Sequence, residues 1–162
     1  MENSEGRIQV WGDTAILVNL DAPPELPFDK AIIEPKIGRG SGWVKVEKCE
    51  DGLYINDHRV ILYLSEQQKG GKVISGFKLN EELLGKPVLH PNILDALLEH
   101  LDLIPEDWKK RYLYIFFWAV IFRDSDGRFF VRFLYFDGER WQWGYSGIYV
   151  GWDNDDPAAL LV

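Results

Sequence analysis

The chain has one cysteine, Cys49, so no disulfide can form within it and nothing in it depends on an oxidising compartment. That residue sits in "KCEDG", where neighbouring acids discourage a thiolate, which points to an inert thiol rather than a nucleophile. Histidine is scarce too: His58, His90 and His100 show no metal-ligand spacing with one another or with Cys49, and no metal site is expected. GxGxxG, P-loop and GxSxG patterns are absent, and the nearest glycine-rich stretch, "GRGSG" at 38–42, lacks the lysine that would reach a phosphate. No cofactor is expected. The longest apolar run, Tyr112 to Phe122, falls short of the roughly 20 residues a membrane-crossing helix needs. The start, "MENSEGR", lacks the basic-then-apolar order of a signal peptide, so a cytoplasmic location without a membrane partner is expected.

Positive charge is also in deficit. Twenty-six acids against eighteen bases leave a net charge of −8, which repels phosphate backbones, so general nucleic-acid binding is not expected. What is present is enough for one ordinary core: 162 residues, 46% hydrophobic and 27% charged, is globular usage.

The first third reads as strands separated by turn chemistry. "RIQVW" and "TAILVNL" flank a hairpin-like Gly12-Asp13, "DAPPELP" forces an irregular connection, and "KAIIEP" suits another short strand. The glycines of "GRGSG" make the best linker, giving residues 1–42 as a strand-rich appendage to an α+β domain over 43–162, the two forming one compact unit. From Trp43, "WVKVEK", "LYI" and "HRVILYL" alternate with the turns "EDG" and "ND", predicting a three-stranded meander. Asn80 is placed to cap a short helical turn that Gly85 ends. One principal helix is predicted over about 91–101, with Pro91 in its first turn and Ile93, Leu94, Leu97, Leu98 and Leu101 on one stripe.

Sixteen of the 23 aromatic residues lie between Tyr112 and Trp152, in three strand-like runs split by "DSDG" and "DG". Counting through these turns puts Phe116, Trp118, Val120 and Phe122 on one face with Phe129, Val131, Phe133 and Tyr135. That uncharged face is expected to meet the helix stripe. The opposite face collects Ile121, Arg123, Phe130, Arg132, Leu134, Trp141, Trp143 and Tyr145, with Arg132 opposite Trp143 for cation–π contact and its charged head near water. Two readings of this second face stand open. Either the N-terminal strands cover it as a second core layer, or it is an exposed aromatic–arginine platform for a partner.

Acidic clusters offer little chemistry. "DSDGR" opens like a calcium loop, but position twelve from Asp124 is Tyr135 rather than a bidentate glutamate, leaving a hairpin turn. "DNDD", 153–156, reads as a solvated loop before Pro157. The fold class expected is α+β: a mainly antiparallel, twisted sheet, half-barrel in curvature, with the helix packed on it.

The stretches "NILDALLEHLDLIPEDWKK", "IFFWAVIFRDSDGRFFVRFLYFDGERWQWGY" and "DPAALL" carry a resemblance. From about Trp43 onward the chain resembles a group of small bacterial proteins to which no activity is attached, so the resemblance transfers no catalytic residue. Where that group often has "FFWGTIYR", this chain has "FFWAVIFR", with Ala119 at the glycine, which suits a regular strand.

The functional expectation is a non-enzymatic binding protein with a protein partner, using Arg123, Arg132, Trp141, Trp143, Tyr145 and Trp152; an exposed aromatic edge also leaves homodimerisation open. The alternative is a carbohydrate- or small-ligand-binding module, or a hydrolase, in which those tryptophans stack on sugar rings and Asp153, Asp155 or Asp156 supply carboxylates.

Overall fold

The computed structural model describes residues 8–10, 14–35, 41–110 and 112–162; the expected Gly12-Asp13 turn and residues 38–40 of the glycine-rich stretch lie outside them. Strands β1 (Ile8–Val10) and β2 (Ala15–Asn19) pair antiparallel, and β3 (Ile32–Pro35) follows the proline-bearing loop. The meander forms as the turns require, from β4 (Trp43–Cys49), β5 (Gly52–Ile55) and β6 (His58–Tyr63). Asn56 and Asp57 both take left-handed φ, 48° and 68°, which a two-residue type I′ turn demands, and Asn56 Oδ1 accepts the Lys45 N–H.

Two helices are present rather than one principal helix. Strand β7 (Ile74–Ser75) leads into α1 (Gly76–Leu83), whose cap is Ser75, its Oγ accepting the Lys78 N–H; Asn80, the expected cap, lies inside the helix. Helix α2 (Pro91–Glu99) starts at the predicted proline and ends two residues before Leu101, because His100 leaves helical geometry at φ −136°; Leu101–Leu103 forms a separate 3₁₀ turn.

The aromatic region supplies β8 (Ile115–Phe116), β9 (Val120–Arg123), β10 (Phe129–Phe136) and β11 (Trp141–Gly147), then β12 (Gly151–Trp152) and β13 (Ala158–Leu161). One large sheet runs β1-β2-β4-β5-β6-β13-β8-β10, with β11 on the outer side of β10 and β9 and β3 continuing from β10 beyond β8; β7 and β12 form a separate pair. The large sheet is mixed, since β13 runs parallel to β8, and it does not close into a barrel. Strands from residues 8–35 sit at both ends of it.

Both faces of the sheet are covered. Helix α2 packs Ile93, Leu94 and Leu97 with the meander and with Leu134, while Trp141 and Trp143 pack against the same cluster. Helix α1 packs Leu79 and Leu83 on the other face, with Phe116, Trp118, Val131 and Trp152. At about 25 cal/mol per Å² of apolar surface buried, these two layers are the main source of stability. A Cβ at Gly76 would run into the Ile148 carbonyl, so glycine is what lets α1 lie this close to the sheet.

The expected arrangement of faces is therefore reversed: α2 lies on the aromatic–arginine face, not on the uncharged one. Two local features also break the predicted register of β8 and β9. Asp124 Oδ1 accepts the N–H groups of Asp126 and Arg128, and Asp124 N–H bonds the Arg128 carbonyl, so the turn closes around Ser125–Gly127 with Gly127 at φ 80°. Arg123 then faces Phe129, and Ile121 falls on the α1 side. Farther back, Phe117 N–H still bonds the Arg132 carbonyl but Trp118 and Ala119 leave the ladder, which restores Phe116 opposite Phe133 and gives Val120 and Phe122 to a small cluster with Ala31.

Candidate functional site

At the β10–β11 turn the expected two-residue loop is present, displaced by one position. Asp137 precedes it, accepting the N–H groups of Glu139 and Arg140 on Oδ1, and Gly138, at φ 103°, takes the first central place. Phe136 therefore faces Trp141, Leu134 faces Trp143, and Arg132 faces Tyr145. Because moving the loop by one position shifts the pairing by two residues, Arg132, Trp141, Trp143 and Tyr145 still share a face, and the Arg132 guanidinium lies 4.1 Å from the Trp143 ring centre.

That face is not an open platform. Arg132 is fully buried, and its head is held by protein rather than water: Nη2 donates to Asp95 Oδ1 of α2 at 2.8 Å and Nη1 to the Glu25 carbonyl at 3.0 Å. Asp95 Oδ2 accepts the Glu25 N–H, so the ion pair clamps both backbone groups of one loop residue. Asn92 of α2 binds the same loop through the Asn19 and Ala22 carbonyls. Phe28, from farther along that loop, stacks on Phe130 and Tyr145 with ring centres 5.2 and 5.5 Å away.

The other expected residues disperse. Arg123 lies opposite Phe129, on the side of the sheet away from Arg132, with its Nε bonded to Glu34 Oε1 of β3 at 2.7 Å. Trp152 is buried in the α1 layer against Phe116 and Trp118, so no sugar ring can stack on it together with Trp141 and Trp143. Tyr145 is 44% exposed; Trp141 and Trp143 are half-buried. Trp141 walls a cleft of about 300 Å³ with Leu101, Ile104, Phe136, Lys109 and Arg140.

Asp153–Asp156 is a structured loop. Gln68 Nε2 donates to the Asp153 and Asp156 carbonyls, and Asp156 Oδ2 accepts the Asp153 N–H. Burial, followed by the charges of Asp153 and Asp155, outweighs that hydrogen bond and raises Asp156 from its ordinary 3.8 to about 6. The folded chain thus holds this proton to a higher pH than the unfolded chain, so the stabilisation is full below 3.8 and lost as pH rises through about 6. Asp156→Asn is expected to remove that slope from urea-unfolding curves taken between pH 4 and 7 and to raise neutral-pH stability by about 1 kcal/mol or less, given solvent screening of a half-buried group. An unchanged slope would contradict this assignment.

Other polar groups are committed to structure. Ser65, fully buried, caps a 3₁₀ turn at Glu66–Gln68 and donates to Glu82 Oε1 at 2.7 Å, while the Tyr63 hydroxyl binds Glu82 Oε2 at 2.6 Å. Burial and that bond push Tyr63 up to about 12. Desolvation, then Glu47 and Asp51, raises the Cys49 thiol. Among the described residues no group of three or more His, Cys, Asp or Glu could hold a metal ion, and no helix is long and apolar enough to cross a membrane.

Sequence reasoning missed a backbone feature. Asp137 N–H bonds the Arg140 carbonyl and Ile148 N–H bonds the Phe129 carbonyl, which sets the alternation along β11: Gln142, Gly144 and Ser146 bond to β10. Trp141, Trp143 and Tyr145 turn their N–H and C=O groups outward, and among the described residues these groups have no partner. The signal was legible in part, because no charge or proline occurs from Trp141 through Trp152. Compared with known protein families, curated proteins and solved structures, the chain finds no match.

Proposed function

We propose that the protein is a non-enzymatic binding protein that engages a protein partner by taking an extended strand onto β11. What supports this reading is the row of outward N–H and C=O groups at Trp141, Trp143 and Tyr145 on an edge with no protection. Edge strands are ordinarily blunted by charge or proline. Strand β3, at another edge of the sheet, carries both Glu34 and Pro35; β11 carries neither. An added strand would meet Tyr145 at one end and, at the other, the cleft beside Trp141, whose lining mixes apolar residues with Asp102, Glu106, Lys109, Glu139 and Arg140.

Hydrogen exchange on dilute protein tests the premise. Amides of Trp141, Trp143 and Tyr145 are expected to exchange fast while Gln142, Gly144 and Ser146 exchange slowly. Slow exchange at the first three would mean the edge is already covered and would end the proposal. Tyr145→Pro then isolates the interaction, since it deletes one outward donor without touching the β10 ladder. Partner capture is expected to fail for Tyr145→Pro and to persist, weakened, for Tyr145→Ala.

A further inference from the structure

The edge of β11 is able to pair with a second copy of itself. Its outward groups sit at Trp141, Trp143, Tyr145 and Gly147, and of these only the Gly147 carbonyl has a partner among the described residues, the Val150 N–H. A second β11 running antiparallel, related by a two-fold axis at Trp143, places Trp143 opposite its own copy and Trp141 opposite Tyr145 of the other copy. The outward N–H and C=O groups of Trp141, Trp143 and Tyr145 then meet those of the other copy, because in an antiparallel ladder directly opposed residues of this class exchange both bonds. We propose that the strand added to β11 is β11 of a second copy of this chain, giving a two-fold dimer with one sheet continuous across both subunits. The inference rests on the strand-addition reading above and names its partner.

Side chains and charge favour this register. On the Arg132 face it creates aromatic pairs, Trp141 with Tyr145 and Trp143 with Trp143, from rings that still have exposed surface to bury. On the other face Gln142 comes opposite Gly144, which has no side chain to clash, and Arg140 comes opposite Ser146. Two chains of net charge −8 repel over most of their surfaces, but the run that pairs here, Trp141–Tyr145, carries no charge. A closed two-fold contact uses both edges at once and leaves neither free to extend, which reconciles an unprotected edge with a soluble assembly.

Sedimentation equilibrium with rising concentration, paired with hydrogen exchange at low and high concentration, tests the dimer. The expected result is a doubling of mass, with new amide protection confined to Trp141, Trp143 and Tyr145. Tyr145→Pro is expected to stay folded by circular dichroism and to remain a single copy. Register is read by disulfide trapping in a Cys49→Ser background: Arg140→Cys mixed with Ser146→Cys is expected to give the mixed disulfide in preference to either like pair. A chain that stays single while its edge amides exchange fast overturns self-pairing and leaves strand addition by another protein standing. Slow edge exchange in the dilute single copy overturns both. A dimer that survives Tyr145→Pro, or that traps like with like, overturns this interface.

Discussion

Arg132→Ala is expected to cost about 3–5 kcal/mol of unfolding free energy, the range for breaking a buried ion pair by removing one partner. The guanidinium has no access to water, and Asp95 keeps only 13% of its side chain exposed, so the carboxylate left behind is poorly solvated. The substitution also deletes the bond to the Glu25 carbonyl and the contact with Trp143. Its effect extends beyond the pair, because Asp95 and Arg132 together fix the loop that brings Phe28 over Phe130 and Tyr145. Urea unfolding of Arg132→Met, Asp95→Leu and the double variant separates the terms. Either single change is expected to destabilise strongly, and the double change to recover part of the loss, since two apolar side chains leave no uncompensated charge. A loss below about 1 kcal/mol for Arg132→Ala would mean the guanidinium is hydrated in solution and the face more open than described.

Trp152→Ala is expected to cost about 3–5 kcal/mol, as large aromatic truncations in cores do. The indole is 1% exposed, with its ring centre 4.0 Å from that of Phe116 and 5.1 Å from that of Trp118. Removing it opens a cavity in the layer under α1, and Trp118 and Phe116 can relax into it only partially. Trp152→Phe is expected to lose less. Thermal and urea unfolding measure both, and a Trp152→Ala protein as stable as the parent would show that the ring spends its time outside the core.

These two side chains show how far the sequence could be read. Local turn chemistry was legible: Asn56-Asp57 and the Asp137-Gly138 region place strands where glycine, asparagine and aspartate permit tight reversal. Helix α2 was legible from Pro91 and its stripe of leucines. What failed was parity across distance. One aspartate, Asp124, capturing two backbone N–H groups closed the turn around three residues instead of the four of "DSDG", and that sent Arg123 to the face opposite Arg132. Which helix covers which face is likewise absent from periodicity, because the stripe of α2 and both sheet faces are largely apolar. Asp95 carried the missing information: an acid just off the leucine stripe is what Arg132 needs, and that match is visible only once both elements are placed. The unpaired edge of β11 was half legible, as a long uncharged aromatic run, but which of its backbone groups point outward follows from the hydrogen bonds at the two ends of the hairpin.

Strand β13, latest of all the strands in chain order, lies between β6 and β8 and is the seam joining the meander to the aromatic hairpins. During synthesis both halves of the sheet emerge before the four residues that stitch them, so each waits with an open flank. Such distant pairings close slowly, and a nascent chain paused near Pro157 is the species most exposed to mispairing with its neighbours.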